Sequence, residues 1–292
     1  MPVEHVQTKR EIEALLRAAG VRPRKRFGQH FLIDGNLMRR LVKTARLDPA
    51  GLVLEVGPGT GGLTDLLVGR THHVIAVEID KALHELLSER FAGDDRLTLL
   101  LGDVLESKHA IRSDVRSVID AFDPGAGGCV KLVANLPYQI ATPLIMNLLV
   151  DHPNVRRMCF TVQAEVGERL VAQPNCKAYG PLSVIAQTMC RVETVTRIGP
   201  QSFWPRPAVD SVMMRVDVAE SPFIDQEELQ RFSTFVRGVF DHRRKVFRSA
   251  VGYVVDDDAR ERVCGQFDAT RRPESFCPKE WTEIFGVVQH AD

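Results

Sequence analysis

Short apolar runs alternate with longer segments through the first half of the chain, and this alternation constrains the fold more than any other feature of the sequence. Each run is rich in residues that favour strands, ends at a turn signal and precedes a segment long enough for a helix. Strands joined through helices lie parallel to one another and are buried on both faces. The sequence therefore predicts an α/β fold with a parallel sheet, whose strands are 52–56, 74–77, 97–101 and 131–134.

Two later runs, 157–162 and 211–218, are further predicted strands. Their short separation from the neighbouring elements favours an antiparallel edge on the same sheet, with a helix over 164–172 between them. The stretch 199–207 holds three prolines, and proline both removes a backbone donor and fixes the chain. It is predicted to be a rigid loop that interrupts regular structure, and loops held by a scaffold often carry function.

The composition changes near residue 218, where five acidic residues between Asp217 and Glu228 occur without a basic one and strand signals disappear. Apolar residues then recur at the helical period, and five of them share one helix face: Phe232, Phe235, Val236, Val239 and Phe240. We therefore expect two domains. Residues 1–219 would carry the sheet and a basic N-terminal arm, and residues 220–292 would form a small all-helical domain.

A glycine-rich turn follows the first predicted strand and contains Gly57, Gly59, Gly61 and Gly62. Glycine allows the backbone to approach a ligand closely and to adopt positive φ angles. Dinucleotide oxidoreductases, nucleotide-sugar enzymes and methyltransferases all use such a turn, so by itself it does not identify the ligand.

Acidic residues at the next two strand ends narrow the choice of ligand. Glu78 ends the second strand, where a carboxylate can accept both hydroxyl hydrogens of a ribose. Asp103 follows the third strand, where a carboxylate can meet the exocyclic amine of adenine. Together with Pro58 and the absence of G-x-G-x-x-G spacing, these acids resemble the arrangement in class I methyltransferases. That resemblance implies a Rossmann-like sheet and S-adenosylmethionine, rather than a dinucleotide, as the cofactor.

The fourth strand leads into Asn135, Leu136, Pro137 and Tyr138, which indicate the reaction. The exocyclic nitrogen of adenine is a poor nucleophile because its lone pair is delocalised into the ring. Hydrogen bonds from its N–H groups to the Asn135 side-chain oxygen and the Leu136 carbonyl would favour a pyramidal nitrogen that can attack. Pro137 stiffens this backbone, and Tyr138 offers a ring on which a base can stack.

A second aromatic cluster lies in the proline-rich loop, in the sequence Phe203-Trp204-Pro205-Arg206-Pro207. Its alternative role is that of an ordinary hydrophobic loop anchor. Beside the Asn-Leu-Pro-Tyr sequence, stacking of Phe203 on the opposite face of an extruded base is favoured.

These motifs together resemble one family, the ribosomal RNA adenine N6,N6-dimethyltransferases whose loss in bacteria confers kasugamycin resistance. The resemblance covers nearly the whole chain. Besides the motifs above it includes Arg26 to Leu32, Gln163-x-Glu165, Arg169-Leu170, Tyr179-Gly180-x-Leu182-Ser183 and the segment Phe203 to Ser211.

The resemblance implies cofactor contacts from six positions in addition to Gly59: His30, Leu32, Gly57, Glu78, Asp103 and Asn135. It also implies transfer of two methyl groups to each of two neighbouring adenosines in the 3′-terminal hairpin of 16S ribosomal RNA, with a role in small-subunit biogenesis. Two positions depart from the family pattern, because His30 and Ser249 stand where Asn is common. The segment 241–249 resembles the basic C-terminal helix of the family.

Other functions remain open at this stage. A sister group methylates an adenine of large-subunit ribosomal RNA and confers macrolide resistance, and it uses a similar tetrapeptide. The chain could also act mainly as an RNA-binding ribosome-assembly factor with secondary catalysis, although intact Asn135, Pro137 and Tyr138 favour an enzyme. A dehydrogenase is the more distant alternative.

The formal net charge is zero, with 38 Lys plus Arg and 38 Asp plus Glu, which excludes a uniformly basic coat for nucleic acid. This average hides local differences. Residues 1–26 hold seven bases against three acids, and residues 231–250 hold six against one. We expect phosphate contacts from the second run, by Arg243, Arg244, Lys245 and Arg248.

The remaining expectations concern compartment and partners. No apolar stretch is long enough to span a bilayer, and the N-terminal segment lacks the pattern of an export signal. Six cysteines without zinc-type spacing are typical of reduced thiols, so a cytoplasmic protein is expected. Its expected partner is the small ribosomal subunit with its 16S RNA, and neither a metal nor a membrane is expected. A monomer is expected as well.

Overall fold

The structure, a computed structural model, describes residues 6–24, 28–123 and 128–289. Contacts divide the chain into two compact units. The first comprises Met1–Leu148, His152–Gly167 and Glu193–Asp217, and the second comprises Leu149–Asp151, Glu168–Val192 and Val218–Asp292. The second unit thus takes in chain from before residue 220, and the division of domains at that position stays a prediction. Parts of the predicted basic arm, including Arg26 and Phe27 of the motif, lie outside the described residues.

The strands of the described chain are β1 (Phe31–Leu32), β2 (Leu52–Val56), β3 (His73–Glu78), β4 (Leu97–Leu101), β5 (Leu105–Ser107), β6 (Ala110–Ile111), β7 (Val130–Asn135), β8 (Val155–Gln163), β9 (Cys190–Ile198), β10 (Phe203–Trp204) and β11 (Ser211–Val218).

The α-helices are α1 (Lys9–Ala18), α2 (Gly35–Ala45), α3 (Thr64–Leu67), α4 (Lys81–Arg90), α5 (Ser113–Ala121), α6 (Ala141–Asp151), α7 (Ala164–Val171), α8 (Pro181–Met189), α9 (Gln226–Asp241), α10 (Phe247–Val251), α11 (Asp257–Gln266) and α12 (Pro278–Gln289). Short 3₁₀ turns lie at Pro200–Ser202 and Pro273–Ser275. Among the described residues, none of these helices is long and apolar enough to cross a membrane.

Seven strands form the central sheet in the order β4-β3-β2-β7-β8-β11-β9. Strand β2 pairs in parallel with β3 and with β7, and β3 pairs in parallel with β4. The α/β class and the four parallel strands predicted from the sequence are confirmed. Strands β2, β3 and β7 are buried almost throughout, as both faces of a parallel sheet require.

The far side of the sheet differs from the prediction in two respects. Strand β8 pairs in parallel with β7 and antiparallel with β11. The antiparallel arrangement expected for 157–162 is therefore wrong for its pairing with β7 and holds only for its pairing with β11. The last strand in the order is β9, which the sequence did not indicate. It carries exposed polar residues along its length and lacks the apolar run that marks the buried strands.

The proline-rich stretch 199–207 is also more regular than predicted. A 3₁₀ turn opens it, and β10 then pairs antiparallel with β1, so that Phe31 lies opposite Trp204 and Leu32 opposite Phe203. The amide of Ile33 donates to the carbonyl of Ser202 at 2.9 Å and extends this ladder. The stretch is therefore hydrogen-bonded to the segment that precedes α2.

Aspartate and threonine side chains cap the N-termini of the helices near the glycine-rich turn. Asp34 accepts from two amides at the start of α2, and Asp80 accepts from the amide of Ala82 at the start of α4. Thr8 and Glu11 form a reciprocal capping box at the start of α1. These caps fix where each helix leaves the neighbouring loop.

Apolar residues of the first unit form two clusters. One joins α2, α3 and the sheet, and it contains Leu41, Leu67, Val74, Val133 and Phe203. The other packs Ile12 and Leu16 of α1 on Phe31 and Leu83. The N-terminal helix is thus part of the folded unit.

The second unit has a core of aromatic residues. The apolar face predicted for α9 is buried, and its Phe235 and Phe240 contact Trp281 of α12. Tyr179, within the Tyr-Gly-x-Leu-Ser motif, is buried and donates from its hydroxyl to the Phe276 carbonyl at 2.8 Å. This motif is therefore structural in the second unit.

Candidate active site

The site lies at the carboxyl ends of the parallel strands. The chain runs from β2 outwards to β3 and β4 and then returns to the other side of β2 as β7. In open α/β sheets such a reversal leaves a crevice in which ligands bind. Gly57, after β2, and Pro137, after β7, face each other there. A Cβ on Gly57 would lie 3.1 Å from the Pro137 ring, and its φ of 72° also favours glycine.

A cavity of about 300 Å³ opens at this crevice and lies within the first unit. The sequence-predicted residues that line it come from the glycine-rich turn, the strand ends and the tetrapeptide: His30, Leu32, Gly57, Gly59, Glu78, Asp103, Asn135, Leu136, Pro137 and Tyr138. Phe203, the predicted stacking residue, is not among the lining residues, and neither is Gly61 of the glycine-rich turn. The cavity therefore unites the cofactor motif with the tetrapeptide.

Glu78 is the polar group at the end of β3 and is 3% exposed. Its Oε2 accepts from the amide of Gly59 at 3.1 Å, and its Oε1 accepts from the amide of Asp80 at 2.9 Å. Burial raises the pKa of this carboxyl to about 7, and the two backbone hydrogen bonds limit the rise. Each carboxylate oxygen keeps an acceptor position beyond the backbone bond, as recognition of a ribose diol requires.

Asp103 is exposed and lines the cavity at the end of β4. One of its oxygens accepts from the amide of Leu105 at 2.9 Å, which fixes the side chain against the β5 turn. Its second oxygen has capacity for an amino group. Leu32 lines the cavity as a buried residue of β1.

Glu55 is a further lining residue that sequence reasoning missed. It lies within β2, is 1% exposed and accepts from the hydroxyl of Thr64 at 2.7 Å. Burial raises its pKa to about 8. The signal that could have found it is an acid in the middle of an otherwise apolar strand, since such a group is rarely buried without a function or a partner.

Acidic side chains set the electrostatic character of the cavity. Glu55, Glu78 and Asp103 line it, whereas no Lys or Arg is among the described lining residues. Because the raised pKa of Glu55 keeps this carboxyl mostly neutral near pH 7, the negative charge comes from the other two acids. That charge opposes a pyrophosphate and favours a ligand with cationic groups and hydrogen-bond donors. These acceptor groups fit S-adenosylmethionine better than they fit a dinucleotide. S-adenosylmethionine carries a sulfonium, an ammonium, a ribose diol and an adenine amine.

Asn135 is held in one orientation by two neighbours. Its Nδ2 donates to the backbone carbonyl of His30 at 2.7 Å, and its Oδ1 accepts from the hydroxyl of Thr161 on β8. Because a carbonyl oxygen has two acceptor positions, Oδ1 can still accept a second hydrogen bond. Thr161 had no signal in the sequence, since its role depends on the parallel pairing of β7 with β8.

Tyr138 is the aromatic residue of the tetrapeptide, and its hydroxyl lies 2.7 Å from Oγ of Ser211. Its ring stacks with that of His30 at a centroid distance of 5.5 Å. The His30 Nδ1 lies 2.6 Å from the Pro205 carbonyl, so Nδ1 carries the proton in this contact. The histidine that replaces the common Asn therefore joins the tetrapeptide to the proline-rich stretch.

Phe203 does not have the position that base stacking requires. Its side chain is 3% exposed and packs in the core cluster with Leu41 and Val133. A side chain that is buried to this extent in an apolar core leaves no exposed ring face for a base. The alternative of a hydrophobic anchor, which the sequence had left open, agrees with this placement, and the stacking role assigned to Phe203 is corrected accordingly.

The predicted phosphate-binding residues lie in the second unit, and three of the four lie in a turn instead of the helix that the resemblance implied. Helix α9 ends at Asp241, and Arg243, Arg244 and Lys245 occupy the turn that precedes α10. Arg243 pairs with Glu274 at 3.1 Å, Lys245 lies 4.5 Å from the ring of Tyr253, and Arg248 of α10 pairs with Glu261. Arg244 is exposed and forms no ion pair within the part of the chain that the structure describes.

The sheet order, the glycine-rich turn after β2 and the acids after β3 and β4 define a class I methyltransferase. Two solved structures share the fold. One is the 23S rRNA methyltransferase ErmE, with a TM-score of 0.64 and 23% identity over 89% of this chain and 100% of that chain. The other is a dimethyladenosine transferase from Plasmodium falciparum, with a TM-score of 0.70 and 22% identity over 87% of this chain and 96% of that chain.

The family follows from the sequence comparison. The profile of the family described as ribosomal RNA adenine dimethylase matches residues 20–284. A ribosomal RNA small subunit methyltransferase A from Moorella thermoacetica is 36% identical over 99% of this chain and all of the relative. A protein of the same name from Clostridium perfringens is 36% identical over 91% of this chain and 90% of the relative. The chain belongs to the ribosomal RNA adenine dimethylase family and is a methyltransferase.

Proposed function

We propose that the protein transfers methyl groups from S-adenosylmethionine to N6 of two adjacent adenosines in the 3′-terminal hairpin of 16S ribosomal RNA, giving dimethyladenosine. Family membership and the names of its curated relatives support this substrate. The observation that carries the proposal is the position of Asn135, which lines an acidic cavity and is held there by His30 and Thr161.

Different cavity residues would contact different parts of the cofactor. Glu78 would accept from the ribose hydroxyls, and Asp103 would accept from the adenine amine. Gly57 and Gly59 would bring their backbone close to the ligand, and His30 and Leu32 line the same cavity. When bound, S-adenosylmethionine supplies an electrophilic methyl carbon on its sulfonium sulfur.

The tetrapeptide would prepare the adenine nitrogen for attack. The Asn135 Oδ1 and the Leu136 carbonyl accept from the two N6 hydrogens and draw the nitrogen out of conjugation with the ring. Pro137 packs beside Gly57 and fixes the backbone of these acceptors. Tyr138 provides a ring for the extruded base, anchored through Ser211. Methylation acidifies the nitrogen, so water can take the proton without a strong general base.

The turn between α9 and α10 is the proposed contact to the RNA backbone. Its three consecutive bases, Arg243, Arg244 and Lys245, occur where the chain has few acids nearby in sequence. Arg244 is the strongest candidate, since it is exposed and forms no ion pair with another described residue. Arg243, Lys245 and Arg248 would exchange their present partners for phosphate. Such contacts orient an RNA while the cavity selects the base.

The partner that follows is the small ribosomal subunit, and the place of action is the cytoplasm, where such particles assemble. We also propose a role in small-subunit biogenesis. The structural likeness to a 23S rRNA methyltransferase lies below 25% identity and concerns the fold alone. The relatives at 36% identity carry the small-subunit name and favour that particle.

The test is transfer of labelled methyl groups to under-methylated small subunits, to large subunits and to free RNA. We expect transfer to the small subunit. The variant Asn135→Ala should lower kcat by about a hundredfold or more, because the acceptor that orients N6 is lost. Asn36→Ala, at an exposed position of α2, is the matched control and should leave the rate unchanged. Transfer to large subunits only would reject the proposed substrate, and binding without transfer would favour an assembly factor.

A further inference from the structure

Residues 6–8, which precede α1, lie against the glycine-rich turn. Gln7 is 3% exposed, and its amide makes both hydrogen bonds with one residue of the turn. Its Nε2 donates to the Thr60 carbonyl at 2.9 Å, and the Thr60 hydroxyl donates to its Oε1 at 2.6 Å. Gln7 and Ile12 also line the cavity. The N-terminal segment therefore forms part of the wall around the proposed cofactor site.

Two glycines make room for this segment. A Cβ on Gly62 would lie 3.2 Å from Oε1 and 3.4 Å from Cδ of Gln7. A Cβ on Gly35 would lie 3.2 Å from Cβ of Val6. Neither glycine has a positive φ, so close approach of the N-terminal segment, rather than backbone conformation, explains the missing side chains. The absence of a side chain at Gly62 thus leaves the space that the Gln7 side chain occupies.

The turn is built from flexible residues, and the Thr60 carbonyl that Gln7 holds also accepts from the guanidinium of Arg90. Thr60 stands between Gly59, with φ of 62°, and Gly61, with φ of 83°. Glycine has the largest conformational freedom to lose, so a turn with glycine on both sides of Thr60 has many alternative conformations. Any conformation that binds the ligand poorly lowers the apparent affinity in proportion to its population.

We propose that Gln7 is a positioning residue for the cofactor: by clamping Thr60 it holds the glycine-rich turn in the conformation that binds S-adenosylmethionine. Gln7 acts on affinity through the turn and takes no part in the chemistry at N6. The inference rests on the proposed function for the identity of the ligand. It adds to that function a residue from outside the motifs that the sequence indicated.

The first experiment measures binding of S-adenosylmethionine and S-adenosylhomocysteine by titration calorimetry. Loss of two buried hydrogen bonds in Gln7→Ala should raise both dissociation constants, and KM for S-adenosylmethionine, on the order of tenfold. At saturating cofactor, kcat and KM for the ribosomal particle should stay within about twofold. Arg10→Ala, at an exposed position of α1, is the control and should bind like the parent. Gln7→Glu, which keeps an acceptor for the Thr60 hydroxyl but loses the donor, should also bind weakly.

A double-mutant cycle separates positioning from general destabilisation. Gly62→Ala should weaken binding about fivefold in the parent, because its methyl group would press on the Gln7 amide 3.2 Å away. In the Gln7→Ala background, where that space is free, it should weaken binding less than about twofold. Additive losses would overturn the inference, and so would a lower melting temperature of Gln7→Ala with unchanged affinity. A parent protein that binds neither ligand would overturn the proposed function as well, whereas equal binding by parent and Gln7→Ala overturns this inference alone.

Discussion

Two buried carboxylates, Glu55 and Glu78, face the same cavity and are held differently. Glu78 accepts two backbone hydrogen bonds, while Glu55 has the hydroxyl of Thr64. Burial raises the pKa of both groups, that of Glu55 to about 8 and that of Glu78 to about 7, and the backbone hydrogen bonds to Glu78 limit its rise. Near neutral pH, Glu78 is therefore the more readily ionised of the two, as a ribose acceptor should be.

Cofactor affinity should consequently depend on pH. In the proposed function Glu78 accepts from the ribose diol as a carboxylate, so the affinity for S-adenosylhomocysteine should be high above pH 7 and fall as the pH drops through about 7. Below that pKa the loss approaches about tenfold per pH unit. Calorimetric titrations between pH 5.5 and 8.5 measure this dependence.

Variants of the two acids assign the inflection to one of them. Glu78→Gln should bind weakly and with a flat pH profile, whereas Glu55→Gln should keep the inflection near pH 7. An inflection that persists in Glu78→Gln would contradict the proposed role.

Among the structural elements, the short ladder of β1 with β10 connects the fold to the site. It places Leu32 on the cavity wall and Phe203 in the core, two side chains that lie opposite each other in register. The carbonyl of Pro205, just beyond β10, then contacts His30 beside Tyr138. The proline-rich stretch thus holds His30, whose ring stacks with that of Tyr138.

Phe203→Ala should therefore act mainly on stability. Removing a buried phenylalanine ring leaves a cavity and should lower the free energy of unfolding by about 3 to 5 kcal/mol. Phe203→Leu keeps most of the buried volume and should lower it much less. Chemical denaturation measures both. A Phe203→Ala protein of normal stability with a greatly reduced kcat would instead support stacking of this ring on the base.

The sequence was sufficient to predict the elements that carry strong apolar patterns and the motifs at their ends. Strands β2, β3, β4 and β7 and the apolar face of α9 were predicted, because burial on one or both faces leaves a regular pattern. Strand β9 was missed because exposed positions at a sheet edge carry polar residues. Thr161 and Gln7 were missed because each acts on a residue far away in the chain, and only the fold shows that contact.

At the scale of the whole molecule, the net charge is zero, but acidic residues line the cavity and basic residues are concentrated in one turn. Glu55, Glu78 and Asp103 line the cavity, while Arg243, Arg244 and Lys245 lie between α9 and α10. The cavity suits a cationic cofactor, and the turn suits phosphate. Local placement of charge, rather than the total, therefore determines what the chain can bind.

Arg244→Ala should weaken binding to small subunits and reduce the salt dependence of that binding by about one phosphate contact. Arg243→Ala should have a smaller effect, since Arg243 must first leave Glu274. Affinities measured between low and physiological salt give the slope. Unaltered slopes in Arg244→Ala and in the combined variant of all four bases would refute the assignment of this turn to RNA.

The most direct test of the proposed function is a map of methylated nucleotides on small subunits. Particles from a strain that lacks this protein would be incubated with the purified protein and S-adenosylmethionine, and the 16S RNA would be analysed by mass spectrometry. We expect two adjacent adenosines of the 3′-terminal hairpin to gain two methyl groups each, and the Asn135→Ala protein to add almost none. Methylation at another site, or no methylation by a protein that binds the cofactor, would contradict the proposed function.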